Sequence, residues 1–123
     1  MSNRQKFYIN GQWVEPSTSD TLDVITPATE QPIEAVAMGG VADVDNAVAA
    51  AKAAFETFSQ TTKEERIALL EAVIAKYAEK MPEIAGVISE EMGAPSNLAA
   101  KAQAPTGIGH LMTAVNVLKE FDF

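Results

Sequence analysis

The chain has 123 residues, with 17 Asp and Glu against 9 Lys and Arg and a formal net charge of −8. That length suits one domain and is short for a two-domain enzyme, while 47% apolar and 21% charged residues exclude wholesale disorder. The acidic balance, with no Lys/Arg cluster to reverse it locally, argues against nucleic-acid and membrane-surface partners.

There is no cysteine, which rules out disulfides, thiolate metal sites and a cysteine nucleophile within this chain. The start, Met1 to Lys6, leads directly into Phe7-Tyr8-Ile9 and the polar Asn10-Gly11. No run of signal-peptide or transmembrane length follows, and the expected address is cytoplasmic.

Residues 1–40 read as extended structure. Phe7-Tyr8-Ile9 and Gln12-Trp13-Val14 flank Asn10-Gly11, the dipeptide best suited to a two-residue hairpin turn. Glu15 to Asp20 reads as a loop. Thr21 to Ile25 is a second β-rich run, stopped at Thr26-Pro27. Ile33 to Ala37, after Pro32, is a third, ended by Gly39-Gly40, and Glu34 between apolar neighbours points one face of it to solvent. The expectation is an antiparallel hairpin-and-strand unit.

Residues 41–121 read as helical. Val44, Ala47, Val48, Ala51, Ala54, Phe55 and Phe58 share one face at helical spacing, with Asp43 as cap. The alanines on that face suit close packing against a neighbour rather than a cofactor. Thr62-Lys63-Glu64-Glu65 has the capping-box pattern and opens a second helix with Ile67, Leu70, Val73, Ile74 and Tyr77 inward, and Lys80 at its far end. Pro82 reads as the first residue of a third helix, carrying Ile84, Val87, Ile88 and Met92 and ended by Gly93 as a left-handed cap. Ser96 is read as the cap of a short helical turn to about Gln103. A last helix runs from Pro105 towards Phe121 with Leu111, Val115, Leu118 and Phe121 as its stripe.

The fold class is therefore α/β: a β hairpin and strand followed by about four helices. Each element has an apolar face and little to set it against, and two aromatics stand in the last three residues. Both features suggest a chain cut in mid-course.

The order of signals resembles the start of the aldehyde dehydrogenase superfamily. The matching stretches are Tyr8 to Val14 (YINGQWV), Asp23 to Thr29 (DVITPAT), Val44 to Phe55 (VDNAVAAAKAAF), Glu64-Glu65-Arg66, and Glu90 to Pro95 (EEMGAP). The resemblance implies that residues 1–123 are the opening, incomplete portion of a Rossmann-like cofactor-binding domain. It implies a parent enzyme oxidising an aldehyde to a carboxylic acid with NAD or NADP, through a catalytic cysteine outside this chain. The thiolate would add to the aldehyde, hydride would pass to the nicotinamide, and water would release the acid. The family's quaternary habit implies a homodimer or homotetramer.

No catalytic or cofactor-binding residue of the family maps onto this chain. A structural monovalent cation seen in some members maps onto the carbonyl of Ile25 and the side chain of Glu91. Oxygen ligands suit such an ion, although Thr26 stands where the family pattern has Asn. Among other residues, the lone histidine, His110, lacks metal-binding companions and reads as a surface or packing residue. Gly107-Ile108-Gly109 lacks the preceding strand and the third glycine of a dinucleotide fingerprint. Gly39-Gly40 has no Lys-Ser/Thr to hold a phosphate. Glu64, Glu65 and Glu71 fall on a solvated face, with Arg66 pairing or lying along the helix. The competing reading is a stand-alone, non-enzymatic acidic helical interaction domain.

Overall fold

The computed structural model describes Asn3 and residues 5–123. The chain divides into two compact units, Met1–Gln60 and Thr61–Phe123.

In the first unit, β1 (Phe7–Ile9) pairs antiparallel with β2 (Gln12–Val14), placing Phe7 opposite Val14 and Tyr8 opposite Trp13. Asn10 and Gly11 both take positive φ, 52° and 75°, the geometry that lets a two-residue turn follow the strand twist. The Tyr8 and Trp13 rings sit 5.2 Å apart across the ribbon, a cross-strand aromatic pair of the kind that stabilises hairpins.

The second and third β-rich runs pair with each other. β3 (Thr21–Ile25) lies antiparallel to β4 (Pro32–Ala37), with Thr21 opposite Ala37 and a register slip after Val24. The described residues thus hold two separate two-stranded sheets, where the sequence suggested one antiparallel hairpin-and-strand unit. Pro32 begins β4, where its missing N–H costs least. Residues 33–37 are all half-buried, so Glu34 does not mark an open face; a two-stranded ribbon leaves both faces partly uncovered.

α1 (Val41–Phe58) starts from an extended Gly40. Asp43 is not its first cap but stands in the first turn and reaches back. Its carboxylate accepts from the Gly40 N–H at 2.8 Å, so the third residue of the helix caps the backbone that precedes it. The apolar face predicted for α1 is present but open: Phe55 is 68% exposed, and Val44, Val48 and Phe58 are also exposed.

In the second unit, α2 (Lys63–Met92) is a single helix of 30 residues that runs through Pro82. Two expected helices are therefore one. Pro82 removes one backbone bond and presses its ring on the preceding turn, a cost of about 3 kcal/mol. Packed residues on both sides, Met81, Ile84, Ala85 and Ile88, hold the helix continuous through it. Lys80 consequently lies mid-helix, paired with Glu83 at 2.8 Å, and is not a helix-end cation. The capping box forms as read: Thr62 Oγ1 accepts from the Glu65 N–H at 3.1 Å, and Glu65 Oε2 accepts from the Thr62 N–H at 2.7 Å. Gly93 closes α2 with φ 69°.

Beyond it, α3 (Ser96–Leu98), a π-helical turn (Ala99–Gln103) and α4 (Ala104–Glu120) form one continuous helical rod. Ser96 does not cap it; Pro95 precedes the first turn, and its carbonyl accepts from Leu98 and Ala99. The core of this unit is small and built from alanine: Ala85, Ala99 and Ala104, flanked by Met81, Ile84, Ile88 and Ala94. Val115 is buried on α4, Leu111 and Leu118 are half-buried, and Phe121 is exposed. On α2, Val73 and Met92 are exposed, whereas the remaining stripe residues are half-buried.

Candidate functional site

The strongest polar node lies in the first unit. The Asp43 carboxylate, only 7% exposed, accepts from the Ser17 N–H at 3.0 Å, the Ser17 hydroxyl at 2.6 Å and the Gly40 N–H at 2.8 Å. These bonds, the Ser17 hydroxyl first, hold its pKa below the usual carboxylate value despite some desolvation. The node ties the 15–20 loop to the start of α1. It also places a negative charge where a phosphate would have to sit, so Gly39-Gly40 forms no anion cradle.

Gly107-Ile108-Gly109 lies inside α4 rather than on a strand-to-helix turn. A Cβ on Gly107 would stand 2.3 Å from the Tyr77 hydroxyl oxygen. That glycine makes room for a side chain of its own unit, and the segment offers no fit to a dinucleotide.

The glutamates are absorbed by structure. Glu65 caps α2, Glu71 lies 3.5 Å from Lys119, and Glu64 is exposed in the first turn. Arg66 donates to Thr61 Oγ1 at 2.9 Å and rests over the Phe123 ring at 5.3 Å, so it lies along the helix and against an aromatic face. Lys63 donates to the carbonyls of Lys119 and Phe121, both at 3.3 Å, satisfying acceptors left open at the end of α4. His110 is exposed on α4. It edges an open, mostly apolar groove of about 810 Å³ with Leu70, Val117, Leu118 and Phe121.

Ile25 ends β3, 48% exposed, before a loop closed by Thr26 and Glu30, the latter with φ 58°. Glu91 is exposed in the last turn of α2. The two stand in different units. Each supplies an oxygen of the type a hard cation takes, and no group of three or more His, Cys, Asp or Glu converges among the described residues. The alanine stripe of α1 faces the β1–β2 turn: Ala47, Ala50, Ala51 and Ala54 line a shallow cleft with Tyr8 to Gly11.

The sequence pattern of the Aldehyde dehydrogenase family matches residues 13–122. The chain belongs to the aldehyde dehydrogenase family. Over its whole length it is 45% identical to a 3-succinoylsemialdehyde-pyridine dehydrogenase from a Pseudomonas species, covering 26% of that protein. An aldehyde dehydrogenase structure from Bartonella henselae superposes on all of the chain with a TM-score of 0.95 and 41% identity, over 26% of its own length. Aldehyde dehydrogenase C from Pseudomonas syringae, a mutant complexed with NAD+ and octanal, superposes on 98% of the chain with a TM-score of 0.94 and 40% identity, over 25% of its own length. The chain therefore spans about a quarter of the length of these family members, and its mixed α/β architecture is theirs.

Two features escaped the sequence reading. The Ser17–Asp43 bond joins residues 26 apart, which no local pattern reveals. The close approach of Tyr77 to Gly107 joins two helices, and a glycine inside an apolar helical stripe was the available signal.

Proposed function

We propose that this chain is the amino-terminal part of an aldehyde dehydrogenase that oxidises an aldehyde to a carboxylic acid with NAD or NADP, and that it serves as scaffold. The observation that carries the reading is the superposition, over the full chain, on a quarter of an aldehyde dehydrogenase fold. The Pseudomonas syringae relative, complexed with NAD+ and octanal, supports the substrate and cofactor classes.

The reaction needs a thiolate to add to the aldehyde carbon, a base for the water that releases the acid, and a nicotinamide that accepts hydride when bound. With no cysteine in the sequence, this chain supplies no such thiolate. None of the three roles is placed on its residues. The same reading makes residues 1–123 the opening portion of a Rossmann-like cofactor domain, in a cytoplasmic homodimer or homotetramer. It also gives Ile25 and Glu91 to a structural monovalent cation completed by a ligand outside this chain.

The test compares two proteins, the 123-residue chain and the product of the full reading frame that encodes it. Aldehyde-dependent reduction of NAD or NADP is expected from the second and absent from the first. Turnover by the 123-residue chain alone overturns the scaffold role. A full product that contains a cysteine yet oxidises no aliphatic or aromatic aldehyde overturns the enzymatic reading.

A further inference from the structure

The π-helical turn at Ala99–Gln103 is a wide point in an otherwise α-helical rod, and its causes lie in a shared alanine core and in residues 77, 105 and 107. Ala99 and Ala104 are both fully buried in the same alanine core, beside Ala85 of α2. In an α-helix two residues five apart differ by about 140° around the axis and cannot face one neighbour. Here the Ala104 N–H donates to the Ala99 carbonyl, five residues back. That bond closes one wide turn and stacks the two alanines on the same side.

Pro105 and Tyr77 favour this register from opposite directions. In α register, residue 105 would donate its N–H to the Lys101 carbonyl; proline has none, and its ring would press on that carbonyl. The Tyr77 hydroxyl reaches over from α2 and donates to the Ala104 carbonyl at 3.0 Å. It can do so only because residue 107 lacks a Cβ, which would fall 2.3 Å from the phenol oxygen.

We infer that Tyr77, Pro105 and Gly107 form a lock that holds the Ser96–Glu120 rod in its wide register. Releasing the lock restores α register and turns Ser96–Ala99 by about 100°, one residue of helix, relative to α4. The residues N-terminal to the wide turn and those C-terminal to it then present a different combined face to α2. The lock is a conformational device independent of the enzymatic reading, since it rests on contacts within one unit.

Tyr77→Phe keeps the ring and removes only the hydroxyl. In the product of the full reading frame, it is expected to raise hydrogen exchange of the Ala99–Gly107 amides roughly 2- to 10-fold, as loss of one net hydrogen bond implies. Gly107→Ala, which displaces the ring itself, raises it further. In a crystal structure of the Tyr77→Phe, Pro105→Ala double variant, the N–H gained at position 105 donates to the Lys101 carbonyl and Ala99 leaves the Ala85 contact. Unchanged exchange in Tyr77→Phe overturns the lock. So does a double variant that keeps the bond from Ala104 to Ala99.

Discussion

Asp43 shows how one carboxylate can serve a loop and a helix at once. Its oxygens receive both donors of Ser17 and the N–H of Gly40, and protonation would remove the charge that makes these bonds strong. Because the folded-state pKa lies below the usual value, the node stabilises fully above the unfolded carboxylate pKa of about 3.9. That contribution fades as pH falls through the lower folded value. Asp43→Ala should therefore lower the melting temperature at neutral pH, and the gap to the parent chain should close in strong acid. Melts recorded across an acid series check this; a gap constant at every pH contradicts the assignment. Gly40 is constrained at the same node, since a Cβ there would approach Thr18 Cγ2 to 2.8 Å.

Among the elements, α2 concentrates a strong signal and a broken rule. Its Thr62/Glu65 box matches the pattern in the sequence, and Thr62→Ala should cost about 0.5–2 kcal/mol in a denaturant titration. Pro82, read as a boundary, sits inside the helix. Pro82→Ala restores a backbone donor while loosening the unfolded chain, so a net gain of about 1–2 kcal/mol is expected. A loss of stability on that substitution would show that Pro82 is held by a contact more valuable than the missing bond. The difference between expectation and structure has a simple cause. Propensity weighs proline against an isolated helix, whereas α2 is packed on either side of it.

At the scale of the molecule, the apolar order is thin. The buried hydrophobic residues are Ala85, Ala99, Ala104 and Val115 among those described, and Val41, Phe55, Phe58, Met92 and Phe123 are all exposed. Large exposed apolar patches attract partners or dyes. The 123-residue chain should enhance the fluorescence of a hydrophobic dye such as ANS strongly. The product of the full reading frame should do so several-fold less per molecule. Equal enhancement by both would mean that these faces stay open in the larger protein. The relatives fit this expectation, since the chain accounts for 26% of their length.

The sequence by itself determined the local events: the Asn10-Gly11 turn, the capping box, the Gly93 cap and the helical stripes. Each depends on residues within about one turn of one another, so the physics is complete in a short window. Its ordered motifs, from YINGQWV to EEMGAP, also resembled the family to which the chain belongs. Only tertiary structure decided that the second and third β runs pair, that Pro82 is spanned, that Ser17 reaches Asp43, and that Ala99 and Ala104 share a core through a widened turn. These are long-range choices, made when a distant partner outweighs a local preference, and no short window contains that partner.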